Sequence, residues 1–228
     1  MKQKRVFYTE AAYFVGIILL AFSAAFMEAA DFGVSMVVAP AYLLHLKLVE
    51  IFPLFSFGMA EYTLQAVLLV LTILVLRRFK VYYLFSFVTA VFYGFLLDGA
   101  MKLVALIPAE GMVIRLVFFS VGLVFCSVSV AFLFHTYIAP EVYELFVKEL
   151  TAKNNLNISR VKTIYDCTSC VIAILMSFAF FGFLHFEGVK AGTIICALLN
   201  GWLIGKFSQL YERWWTFKDR FALRRYFE

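Results

Sequence analysis

LVFFSVGLVFCSVSVAFLFHTYIAP, residues 116–140, contains no Asp, Glu, Lys or Arg. An α-helix needs about 20 mainly apolar residues to cross the hydrocarbon core of a bilayer, and this run supplies them. Working outward, residues 11–27 are also uncharged and place a first helix over about Thr9 to Ala30. Residues 51–76 hold only Glu61, with Pro53 and Gly58 setting the start of a second helix in the mid-fifties. A third run, 81–97, opens on Tyr82-Tyr83 and closes at Asp98-Gly99. A fifth is expected from Cys167 to Phe186 and a sixth from about Val189 to Phe207. Six spans are the simplest count.

Composition agrees. Of 228 residues, 64% are hydrophobic, 15% are charged and 28 are Phe, against roughly 45–50% apolar and about 25% charged in a soluble domain. A single water-soluble core cannot hide that much apolar surface. A soluble enzyme, a nucleic-acid-binding domain and a disordered chain are thereby excluded, and the lipid bilayer is the first partner. The fold class expected is all-α integral membrane, with about six transmembrane helices.

The net charge of +5 follows from topology rather than from a polyanionic partner. With the N-terminus inside, 16 of the 20 basic residues fall on the cytoplasmic side, among them Lys2, Lys4, Arg77, Arg78, Lys162 and Arg213. Lys47, Lys102, Arg115 and Lys190 are left outside. Cytoplasmic loops are enriched in Lys and Arg, so both termini are expected in the cytoplasm. Lys2-Gln3-Lys4-Arg5 before an apolar run could also open a cleaved signal peptide. The 17-residue uncharged run is longer than the usual h-region of about 7–15 residues, so the first helix is expected to stay.

The two halves carry similar punctuation. A helix leads to Val38-Ala39-Pro40 and Tyr42 in one, and to Ile138-Ala139-Pro140 and Tyr143 in the other. Tyr93-Gly94 and Asn200-Gly201 fall in the third helix of each half. Residues 1–107 and 108–210 therefore read as two three-helix repeats, and three helices apiece would invert one against the other, as in many secondary transporters. A re-entrant or interfacial segment is expected after the first helix of each half. In the first half, Gly33 can close a helix and Ser35 can cap the next, with Pro40 in its opening turns. Such breaks persist at membrane depth only inside protein or along a wet cavity; a plain amphipathic surface helix is the alternative. The second-half segment, 139–160, is more polar and reads as an interfacial cytoplasmic helix plus loop, with Glu144 and Lys148 one turn apart and able to pair. Residues 211–228, with Trp214, Trp215, Phe217, Phe221 and Tyr226, read as a basic amphipathic helix on the inner leaflet.

Ionisable residues inside spans are costly and usually face a cavity or a partner. Seven of the 15 acids lie outside or at outer helix ends. Glu28 and Asp31 share a face at the end of the first helix, Glu61 starts the second, and Asp98 ends the third. Together with Gly33, Ser35 and Pro40 they could line an outward vestibule for a cation or an amine; the bland alternative is that each fringes a helix near headgroup water, Asp98 beside Lys102. Asp166 at the inner end of the fifth helix and Asn200 in the sixth complete the candidate binding set. For Asn200 the alternative is a structural bond between helices. Cys167 and Cys170 form a CxxC, but zinc needs two further ligands and neither His135 nor His185 sits in a partner motif. No GxSxG, HExxH, P-loop or GxGD element occurs, so no catalytic residue, metal or cofactor is expected.

With FGVSMVVAPAY at residues 32–42, GFLLDGAMKL at 94–103 and KAGTIICALLNGWLIGK at 190–206, the chain resembles the YitT/YczE-like family of bacterial multipass proteins over nearly its whole length. The resemblance implies a cytoplasmic-membrane protein, commonly guessed to transport, and carries no catalytic residues over. The expectation is a small permease for a cationic or amine-bearing solute, able to form homo-oligomers. The alternative is a non-transporting scaffold or regulator acting through residues 139–160 and the tail.

Overall fold

The computed structural model describes residues 5–183, 187–221 and 224. Lys2, Lys4, His185 and Tyr226 lie outside the described residues. Eight helices and two short strands follow one another: β1 (Arg5–Tyr8), α1 (Thr9–Ala30), α2 (Ala39–Val49), α3 (Phe57–Leu76), α4 (Tyr82–Val104), α5 (Met112–Phe134), α6 (Val142–Asn154), α7 (Ile158–Phe181), α8 (Ala191–Trp214) and β2 (Trp215–Lys218). Six of the helices are long and apolar enough to cross a membrane. Their outward faces carry exposed Val67, Val88, Phe95, Leu175 and Leu198. An apolar surface this extensive is stable only against lipid.

α1 and α5 form the centre of the bundle. Over half of their apolar windows is buried, 61% and 56%, against 28–39% for the other four spans. Small residues allow the two to approach closely. A Cβ added at Gly122 would lie 2.7 Å from Met27 Cγ and 3.0 Å from the Ser23 carbonyl oxygen; one added at Gly16 would lie 3.2 Å from that of Ser129. The Ser23 hydroxyl donates to the Gly122 carbonyl at 2.7 Å.

Local signals fix the helix ends. Ser56 Oγ accepts from the Met59 amide at 3.1 Å and Asn157 Oδ1 from that of Arg160 at 3.2 Å, capping α3 and α7. α1 closes on Asp31 in the left-handed conformation (φ 55°), not on Gly33. Gly33 has its own positive φ, 97°, because the chain there presses against Lys190 and Thr193, where a Cβ has no room. Ser35 contributes its carbonyl, which accepts from Val38 and Ala39, rather than a capping side chain.

After α1 the chain folds back. Ser35, Val37 and Val38 line the same cavity as Leu20, Ser23 and Ala24, so the start of α2 sits roughly 9 Å below the end of α1 at 1.5 Å per residue. The segment after α5 does the same, bringing Glu141, Tyr143 and Glu144 beside Cys126 and Val130. Its broken backbone is satisfied internally, as depth requires: Ser86 donates to the Pro140 carbonyl, Thr89 to that of Ala139 at 2.9 Å, and the Val142 amide to Gln65 Oε1 at 3.0 Å.

Three expectations are corrected here. The first turns of α6 are not interfacial: Val142, Tyr143, Glu144, Leu145 and Val147 are buried, because α6 packs on α3, α4 and α7, while residues 152–157 are exposed. Helix α7 begins at Ile158, ahead of Cys167, since Asn157 caps it there, and this takes Lys162 inside. Beyond Trp214 the tail is not an amphipathic α-helix over its described length. β2 pairs with β1 in parallel, Arg5 opposite Trp215 and Tyr8 opposite Lys218. Trp215 stacks on Phe7 and Phe132, with ring centres 5.0 and 5.9 Å apart, so its aromatic surface is covered by protein rather than lipid.

A candidate binding site where two short helices begin

Lys162 and Asp166 are four residues apart and share one face of α7, with Lys162 Nζ 3.0 Å from Asp166 Oδ1. The antiparallel α6 brings Glu144 to the same ammonium at 3.2 Å. That corrects the expected Glu144–Lys148 pair: Lys148 donates instead to the Thr136 carbonyl at 3.1 Å. Glu141 immediately precedes α6. Glu61, facing them from α3, accepts from Tyr143 at 3.1 Å and Gln65 at 3.4 Å. All five charged residues are buried. Glu141, Glu144 and Lys162 line a cavity of about 20 Å³ together with Tyr93, Asn200 and Ser35, among others. That is room for about one water.

Four carboxylates share one ammonium. Glu61 Oε1, Glu141 Oε1, Glu144 Oε2 and the Tyr93 hydroxyl have no hydrogen-bond partner among the described residues. Glu141 is buried, with the carboxylates of Glu144 and Glu61 as its charged neighbours. The amino-terminal end of α6 offers partial positive charge to these acids, but a dry site cannot hold four anions against one cation. The cluster is therefore deficient in positive charge, and chemically it suits a proton or a small cation.

The expected site residues divide. Ser35 and Asn200 line the cavity, with Asn200 Oδ1 accepting from Ser127 at 2.9 Å. Asp166 belongs to the cluster through Lys162 and Glu61 through Tyr143. Pro40 stands at the start of α2. The expected outer ring of acids does not close: Glu61 is turned inward and Asp98 is engaged at the start of α3, while Glu28 and Asp31 share a cavity with Gly33. Asp98 accepts from Ser56 at 2.7 Å and from the Gly58 amide at 2.9 Å, tying α4 to the start of α3. Among the described residues no ion pair joins it to Lys102. Asp31 receives Lys190 and, at 2.6 Å, Arg115, so α1, α5 and the start of α8 are strapped together at that end. The hydrogen bond from Lys190 and the nearby Arg115 hold Asp31 below its ordinary range. Glu28 and Gly33 line a small cavity of about 30 Å³ beside it.

Glu141, Glu144, Lys162 and Tyr93 were not foreseen. The four-residue spacing of Lys162 and Asp166 was the available signal for Lys162; for Glu141 it was the position directly after Pro140.

No curated protein and no solved structure matches the chain. One family profile, described as "Family of unknown function (DUF6198)", matches residues 7–209. By that match, which takes in five of the six apolar helices whole, α8 as far as Gln209 and every residue of the charged cluster, the chain belongs to the DUF6198 family.

Proposed function

We propose that this protein is a small secondary permease of the bacterial cytoplasmic membrane, taking a small cationic or amine-bearing solute at the Glu141–Glu144–Lys162 cluster. One observation carries the reading. Buried carboxylate oxygens with no partner face a cavity at the point where two short helices begin, α2 and α6. Ionisable groups at membrane depth mark substrate or ion paths, and transporters place such sites where broken helices meet.

The reading includes a 3+3 inverted repeat of the YitT/YczE kind, with both termini cytoplasmic. In support, each half runs long helix, short helix, then two long helices. Gly16 and Gly122 make the close contacts between α1 and α5, and Ser23 and Ser129 are their counterparts, each pair 106 residues apart. Tyr93 and Asn200 both reach the cavity. The paired β1 and β2 put the two ends on one side, the side of Arg77, Arg78 and Lys80. A scaffold acting through residues 139–160 is disfavoured because α6 spends its first turns inside the bundle.

The test is a thermal-shift panel on purified protein. Sodium, potassium, methylammonium and choline chlorides should be compared with anionic and neutral solutes at matched ionic strength. A ligand at 100 times its Kd stabilises the folded state by about 2.7 kcal/mol, so at least one cation should raise the melting temperature. A response confined to anions or neutral solutes would overturn the reading.

A further inference from the structure

The charge balance of the cluster has a consequence for coupling. The groups in and around the cavity are spread over the bundle. Tyr93 of α4 lines it, and Glu61 of α3 lies behind, within electrostatic reach of Tyr93. α5 contributes Cys126, and α6 Tyr143 and Glu144 beside Glu141. α7 adds Lys162, with Tyr165 and Asp166 behind it; α8 adds the neutral Asn200 and the buried thiol of Cys196. Tyr13 of α1 lies within electrostatic reach of Glu141. Lys162 is the single cation in the set, and Glu144 and Asp166 already hold it. Glu141 and Glu61 form no direct ion pair among the described residues, and Lys162 reaches Glu141 only through space.

We propose that Glu141 is protonated in the empty site and gives up its proton when a cation enters, making the protein a proton/cation antiporter. The inference rests on the permease reading above and adds the coupling ion to it. The step balances. The O–H bond of the Glu141 carboxyl breaks, its electron pair stays on the carboxylate, and the proton leaves to water on the side from which the cation came. The cation then occupies the place of that proton, beside the unpartnered oxygens of Glu141 and Glu144, and the charge of the site is unchanged. The cavity has room for about one occupant beside Glu141 and Glu144, and its bare carboxylates would not persist without one. Exchange follows in place of co-binding.

The experiment uses the full chain in detergent, in weakly buffered solution with a pH-indicating dye. Sodium, potassium or methylammonium chloride, adjusted to the same pH, is added while melting temperature is followed in parallel. A cation that raises the melting temperature should release about one proton per site, because proton and cation compete for the same carboxylate oxygens in a cavity with room for about one occupant. In Glu141→Gln the released proton should vanish, with the fold intact because the two side chains have nearly the same shape. The wild-type measurement decides the matter even if that variant fails to fold. Cation binding without proton release would overturn the antiport and leave the permease standing. Absence of binding by all three cations would overturn both.

Discussion

Lys162 lies in the second turn of α7, its ammonium between Glu144 and Asp166, with the Tyr165 ring 5.4 Å away. Removing one partner of a buried pair leaves the other charge uncompensated, at a cost of about 3–5 kcal/mol. Lys162→Met should therefore sharply lower the yield and melting temperature of folded protein. Melting can be followed with a thiol-reactive dye on the buried Cys126 and Cys196, which become accessible on unfolding. Adding Asp166→Asn should recover part of the loss, since it removes one stranded anion; a double variant no better than the single would show that the pair does not act as a unit. Lys162 was hard to read from sequence because its neighbour Arg160 and a helix start expected at Cys167 both assigned it to a cytoplasmic loop. The spacing to Asp166 was visible in the chain. The contact to Glu144 was not, because it depends on how the α6–α7 hairpin closes.

At the scale of elements, the contact between α1 and α5 sets the geometry of everything around it. Gly122→Ala would place a methyl 2.7 Å from the Met27 side chain and 3.0 Å from the Ser23 backbone oxygen. The side chain can move and the backbone cannot, so overpacking of about 1–3 kcal/mol is expected, read as a lower melting temperature with the helices still inserted. An unchanged melt would mean that the two helices are held mainly from elsewhere. The long helices were legible from uncharged runs alone: α1 runs over Thr9–Ala30 as the sequence predicts. The short ones were legible only as breaks. Ala39-Pro40 and Ala139-Pro140 mark where the chain turns, but the polarity of Glu141, Glu144 and Lys148 pointed to the membrane surface. Their burial comes from partners on other helices, Gln65 for the Val142 amide and Lys162 for Glu144, and no local pattern encodes those.

For the whole molecule, the ends of the described chain form part of the packed structure. Glu10 accepts from the amides of Arg220 and Phe221 and from the Tyr137 hydroxyl, while Trp215 covers Phe7 and Phe132. Ending the chain after Trp214 should leave six helices inserted but lower the melting temperature, since uncovering one large aromatic contact costs about 1.5–3 kcal/mol. A melt equal to wild type would return the tail to a lipid-docking role. The aromatic content of residues 211–221 was plain in the sequence; that it meets β1 was not, because the two strands are separated by almost the full chain.

The parallel pairing of β1 with β2 also has a mechanical side. Chain leaves the pair before Arg5 at one end and after Lys218 at the other, so tension applied between the two ends of the protein pulls the strands in shear. In that geometry the ladder hydrogen bonds bear load together instead of peeling open one at a time. A pull between those ends would have to slide the two strands past each other before any force reached α1 or α8, so the strand pair acts as a buckle that shields the helices from being drawn out of the bilayer.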